Sequence, residues 1–315
     1  MGTQISFEIS SVLYSITRGR CCDKAAASVE QVVLHPMVLF IKFPALAFVA
    51  SVPSHFGPFT TTVGTNSQLS IMSKGMILRK GEKLGFKHLF DEDSSTHTYL
   101  IWDTNTKDAV IVDPVDIQID RDLQEVEKLG LNLIYGVNTH CHADHITGTY
   151  LLKQRVEGLQ SVISEASGAQ ADIHIYHGDR ICFGHRYLEA RATPGHTNGC
   201  MSYVADDMHF VLTGDALLIH GCGRTDFQGG SAELLYDSVY QQLFTLPRET
   251  LVYPGHDYME RTHSSIGAEM DNNPRLGEHK TKEEFVEIMA NLNLAMPRKI
   301  DIAVPANLRC GVPDV

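Results

Sequence analysis

A run of seven mostly apolar residues, Leu131–Val137, feeds directly into Thr139-His140-Cys141-His142-Ala143-Asp144-His145. An apolar run without polar alternation is the pattern of a strand buried on both faces. Such a strand needs cover on each side, so the chain must fold in layers. The residues that follow crowd His140, His142, Asp144 and His145 into one turn. Core packing gains nothing from that crowding, because burying these groups without a metal costs desolvation. Imidazole and carboxylate together suit zinc, iron or manganese.

The remaining pattern repeats this design. Leu84–Phe90, Thr96–Trp102 and Ala109–Val112 read as strands rich in β-branched and aromatic residues, and Asp113-Pro114 closes the third. Ile119–Leu129 has helical apolar spacing and is stopped by Gly130. A second helix is expected over 146–156. Strands are expected over 185–192, 201–204, 209–212 and 250–253. Further helices are expected over 231–246, with Ser231 as N-cap, and over 282–292. Three more candidate ligands follow predicted strands. His196 comes after Thr193-Pro194-Gly195, Asp215 after Thr213-Gly214, and His256 after Pro254-Gly255. Strand-end loops on a rigid sheet are where sites are built.

Composition narrows the setting. The formal net charge is −12, which opposes nucleic-acid backbones and anionic membrane surfaces as partners. The seven cysteines are odd in number and scattered, without a C-x-x-C pair. That excludes a disulfide framework or zinc knuckle and fits a reducing compartment. Residues 1–75 carry five basic and three acidic side chains, so +2 falls there and −14 on the rest. This acid-poor, Ser/Thr/Ala-rich stretch reads as a targeting or linker segment outside the fold, with residues 76–315 as the folded domain. Its apolar run 32–52 contains Lys42, Pro36 and Pro44, which argues against a spanning helix.

Thr139–His145, Pro194–Thr197, Gly214-Asp215 and Pro254–His256 resemble, in order and character, the metallo-β-lactamase superfamily. The resemblance implies an α/β fold, the αββα sandwich, with a metal at one edge of two packed sheets. Two glutathione-related families share the pattern: glyoxalase II, a binuclear thioester hydrolase, and persulfide dioxygenase, the mitochondrial sulfur dioxygenase of sulfide catabolism. Thr139–Gly148, Gly221-Cys222-Gly223-Arg224-Thr225-Asp226-Phe227-Gln228, Pro254–Tyr258 and the tail segments Asn273–Leu276, Glu284-Phe285, Asn291–Leu294 and Val304–Asn307 are similar to the dioxygenase. The resemblance runs from Met76 to the C-terminus.

What it implies is specific. One Fe(II) per chain would be held by His140, His196 and Asp215, two histidines and a carboxylate that leave positions open for substrate and O2. His142, Asp144, His145 and His256 would then hydrogen-bond and orient those ligands. Ligand count alone leaves the nuclearity open, since every residue of a binuclear zinc site is also present. The implied reaction turns glutathione persulfide, O2 and water into glutathione and sulfite, and the alternative is glyoxalase II-type hydrolysis of S-lactoylglutathione. Arg224 is a candidate anchor for a substrate carboxylate, with an ion pair to Asp226 as the competing role. Tyr258 is a candidate pocket residue. Cys222 and Cys310 are read as ordinary thiols rather than persulfide carriers. A homodimer and a mitochondrial matrix location follow from the resemblance, the latter supported by the acid-poor N-terminus.

Overall fold

The computed structural model describes residues 84–277 and 279–312. The expected N-terminal segment, residues 1–75, and the expected domain start at Met76 lie outside the described residues.

Two six-stranded sheets form the centre. The first runs in chain order: β1 (Gly85–Asp91), β2 (Thr96–Trp102), β3 (Asp108–Val112), β4 (Asn132–Val137), β5 (Gln160–Ser164) and β6 (Ile173–Ile175). The hairpins β1–β2–β3 are antiparallel, and β3 to β6 pair in parallel. The parallel crossovers carry α1 (Ile119–Leu129) and α2 (Thr149–Arg155). In the second sheet β7 (Arg180–Phe183), β8 (Arg186–Ala192), β9 (Met201–Ala205) and β10 (Phe210–Gly214) form an antiparallel meander. β11 (Leu251–Pro254) joins β10 in parallel, and the short β12 (Ser264–Ser265) closes the edge. The crossover between β10 and β11 holds α3 (Ala232–Ser238), followed directly by a π-turn at Val239–Leu243. The chain ends in α4 (Ile266–Asn272), α5 (Lys282–Ala290) and α6 (Ile300–Asn307).

Side-chain alternation builds three apolar layers. Val110 and Val112 of β3 face Tyr203, Phe210 and Leu212 between the sheets. Their neighbours Ala109 and Ile111 point the other way, onto Ile119 and Val126 of α1 and Leu152 of α2. On the far side Val204, Val211 and Val252 pack under Leu235, Val239, Leu243 and Phe285. Both faces of each sheet are therefore covered, which is the expected αββα sandwich. No helix among the described residues is long and apolar enough to cross a membrane.

The differences from the sequence reading have local causes. The second helix begins at Thr149 rather than Ile146, because the loop bearing the candidate ligands continues to Gly148. The helix expected to reach Leu246 leaves regular α geometry after Ser238. Five-residue and shorter strands (β5, β6, β7, β12) and the helices α4 and α6 carry too little periodicity to be read beforehand.

A candidate metal centre at the strand ends

All the candidate ligands converge at one edge of the sandwich. The ends of β4, β10 and β11, and the loop after β8, deliver them. Two groups form. His140, His196 and Asp215 each offer one ligand atom within 4.8 Å of the others, and so do His142, Asp144, His145 and His256. Apart from partly exposed Asp144, the other six of these seven side chains are buried.

In the first group, His140 Nδ1 lies 2.9 Å from Thr139 Oγ1, which donates to Asp113 Oδ2 at 2.8 Å. His196 Nδ1 donates to the Arg224 carbonyl at 2.7 Å. Both contacts leave Nε2 to face the site and fix the ring orientations. Asp215 Oδ2 is 3.6 Å from His196 Nε2, and its Oδ1 accepts from His256 Nδ1 at 2.7 Å. His256 also reaches Asp144 Oδ2 with Nε2 at 3.0 Å, so its ring bridges the two groups. His145 Nδ1 contacts the same Asp144 oxygen at 2.9 Å.

The electrostatics follow from this crowding. Burial, with His142 adding, holds His140 well below the usual imidazole range, so it is a neutral donor. Burial opposes charge on His256, but the Asp215 and Asp144 carboxylates overcome it and hold that imidazole well above its ordinary value. Asp215 is driven the other way: His256, His196 and His140 outweigh burial and hold its carboxyl well below the ordinary range. His142 is raised because Asp113, 3.1 Å from its Nε2, outweighs burial.

Whether these residues fit a metal is decided by their unpaired atoms. Nδ1 of His142 and Nε2 of His145 are buried without a hydrogen-bond partner. A buried ring nitrogen left unpaired is costly, and a cation that its lone pair coordinates removes the cost. The donor set of imidazoles and carboxylates is that of zinc, iron or manganese.

A cavity of about 300 Å³ opens beside the first group, lined by His196, Asp215, Phe227, His256, Tyr258, Arg261, Arg275 and Leu294 among others. Tyr258 stands at its mouth, 71% exposed, with its ring parallel to that of His256 at 6.3 Å between centroids. Arg224 also lines the cavity, but its guanidinium is engaged. Nε and Nη2 donate to the two Asp226 oxygens at 2.6 Å, and Nη1 and Nη2 donate to the carbonyls of Ala295 and Leu294 at 2.6 and 3.1 Å. The competing ion-pair role is therefore filled, and its main-chain carbonyl orients His196. Cys222 is buried, with burial pushing its thiol up to about 11, and burial raises Cys310 as well. Neither is poised as a thiolate.

Several site residues were not singled out in the sequence. Asp113, taken only as the end of a strand, sits at φ 52° and accepts from Thr139 N and Oγ1 at 2.7 and 2.8 Å. A helix-tail arginine, Arg275, and Arg261, held by Asp257 Oδ1 at 2.7 Å, reach the cavity from distant segments. Arg275 falls inside the tail Asn273–Leu276 that carries the resemblance, whereas no motif marks Arg261.

The fold and its edge site define a metal-dependent enzyme, and the metallo-β-lactamase superfamily model matches residues 91–256. The mitochondrial persulfide dioxygenase ETHE1 of Mus musculus is 54% identical over 232 residues, spanning 74% of this chain and 91% of that protein. The crystal structure of ETHE1 from Myxococcus xanthus superposes with a TM-score of 0.69 at 52% identity, covering 72% of this chain and 99% of that one. A hydroxyacylglutathione hydrolase of Thermosynechococcus vestitus is more distant, at 31% identity over 70% of this chain and 87% of that protein. The chain belongs to the persulfide dioxygenase family of the metallo-β-lactamase superfamily.

Proposed function

We propose that this enzyme oxidises glutathione persulfide with O2 and water to glutathione and sulfite, using one Fe(II) held by His140, His196 and Asp215. The observation that carries the reading is the convergence of these three ligand atoms within 4.8 Å, beside a cavity large enough for a tripeptide thiol end. Iron, when bound, supplies the redox step that no side chain can perform. The protein supplies binding, orientation and proton placement. Thr139 and the Arg224 carbonyl fix the His140 and His196 rings. His256, charged between Asp215 and Asp144, holds Asp215 ionised and in place. Arg275 places positive charge in the cavity of an acidic protein, which suits a carboxylate of a glutathione moiety. Tyr258 flanks the persulfide from the cavity mouth. His142, Asp144 and His145 orient the centre from the second group.

Residues 76–315 form the catalytic domain in this reading, and residues 1–75 direct the chain to the mitochondrial matrix. A homodimer is the expected state.

A second reading, thioester hydrolysis at a binuclear centre, is favoured by one observation: the second group of four ligand-type residues is complete. Metal analysis with oxygen uptake separates the two. On anaerobic expression, about one iron per chain with O2 consumption and sulfite release on adding glutathione persulfide is expected. Two metals per chain, no O2 uptake and hydrolysis of S-lactoylglutathione would replace the dioxygenase with the hydrolase.

A further inference from the structure

The loop that carries the ligands has no regular structure between the end of β4 at Val137 and the start of α2 at Thr149. Its main-chain groups therefore need partners from elsewhere. One distant side chain supplies three of them. Asn307, the last residue of α6 and only 4% exposed, donates from Nδ2 to the carbonyls of His142 at 2.9 Å and His145 at 2.8 Å. Its Oδ1 accepts the Thr147 N–H at 2.8 Å. Both amide hydrogens and the carbonyl oxygen are thus committed to the ligand loop. Thr147 Oγ1 in turn donates to Asn138 Oδ1 at 2.8 Å, which ties the far end of the loop to the residue after β4. The segment bearing Asn307 is anchored behind: Gln170 N–H donates to the Leu308 carbonyl at 2.8 Å. Gly311 approaches so closely that a Cβ there would lie 2.3 Å from the Thr147 carbonyl oxygen.

We propose that Asn307 is a positioning residue for the metal centre, holding the His142 and His145 carbonyls so that the loop keeps the pitch its ligands need. Two carbonyls three residues apart, gripped by one NH2 group, fix the curvature of the turn between them. That curvature sets the Cα–Cβ directions of His142, Asp144 and His145 together. Asp144 holds His256 at 3.0 Å, and His256 holds Asp215 at 2.7 Å, so a loop free to relax shifts the carboxylate whose distance to a metal tolerates only about 0.2 Å. An amide is the group this task needs. A carboxylate of the same shape would still accept from Thr147, but would turn a negative oxygen toward two carbonyl oxygens.

The proposal rests on the metal-centre reading above, and cobalt binding separates the two. Metal-free wild type, Asn307→Asp and Asn307→Ala are titrated with Co(II). The readouts are the dissociation constant and the visible absorption bands of bound cobalt, with far-UV circular dichroism and thermal unfolding recorded on the same samples. Both variants are expected to keep the wild-type far-UV spectrum, to bind Co(II) about 10- to 100-fold more weakly, and to show shifted cobalt bands. The proposal is overturned if folded variants show wild-type affinity and bands with only a lowered melting temperature. It is equally overturned if neither variant folds with metal supplied, since Asn307 would then serve the fold rather than the centre. Failure of the wild type to bind cobalt would instead remove the metal-centre reading itself.

Discussion

Asp122→Asn is expected to stabilise the protein above pH 6 and to leave it unchanged near pH 4. Asp122 lies in the first turn of α1 with no exposed surface. Its Oδ1 accepts from Arg121 Nε and Nη2 at 2.9 and 2.8 Å, while Oδ2 is buried without a partner. Burial outweighs the Arg121 guanidinium and raises the carboxyl from 3.8 to about 6. At about 1.4 kcal/mol per pH unit, ionising it in the folded state costs about 3 kcal/mol. The sign follows from a folded pKa above the unfolded one. Below pH 3.8 both states are protonated and the cost is absent. Between about 4 and 6 the unfolded chain loses its proton first, so stability falls, and above 6 the deficit is complete. Asparagine stands in for the protonated carboxyl and keeps the acceptor for Arg121, whose help to the charged form is already contained in the raised value. The gain expected at pH 8 is thus about 3 kcal/mol. Urea unfolding of both proteins in chelator between pH 4.5 and 8 measures it, with the difference free of metal release. A difference that does not vary with pH, or a variant less stable than wild type at pH 8, refutes the reasoning.

Other perturbations act on the centre. Asp215→Ala removes a proposed ligand and the partner of His256; on the proposed iron reading, bound iron, by elemental analysis, is expected to fall below about a tenth of wild type along with O2 uptake. Gly223→Ala places a Cβ 2.8 Å from the His196 ring, so metal affinity and kcat are expected to fall about tenfold or more while the far-UV spectrum is kept. Arg275→Ala removes a cavity cation, and KM for glutathione persulfide is expected to rise about tenfold with a smaller change in kcat.

Much of the site was written locally. His140, His142, Asp144 and His145 follow a strand whose apolar run announces its burial, and His196, Asp215 and His256 each follow a short turn with glycine. Strand ends project loops to one edge, so a reader of the sequence can gather all seven ligand-type residues without coordinates. The sandwich itself was legible for the same reason: alternating and continuous apolar runs specify which faces need cover.

The tertiary structure decided what lies far apart in the chain or depends on competing partners. The sequence offered Arg224 either a substrate carboxylate or Asp226, and packing against Ala295 and Leu294 engages it with Asp226. Asp113 read as a strand terminator, and its grip on Thr139 needed the parallel pairing of β3 with β4. Asn307 stands in a tail with weak periodicity, over 160 residues from the loop it holds. Hydrogen-bond valence is satisfied by whichever group folding brings within 3 Å, and that proximity, unlike a ligand motif, has no signature along the chain.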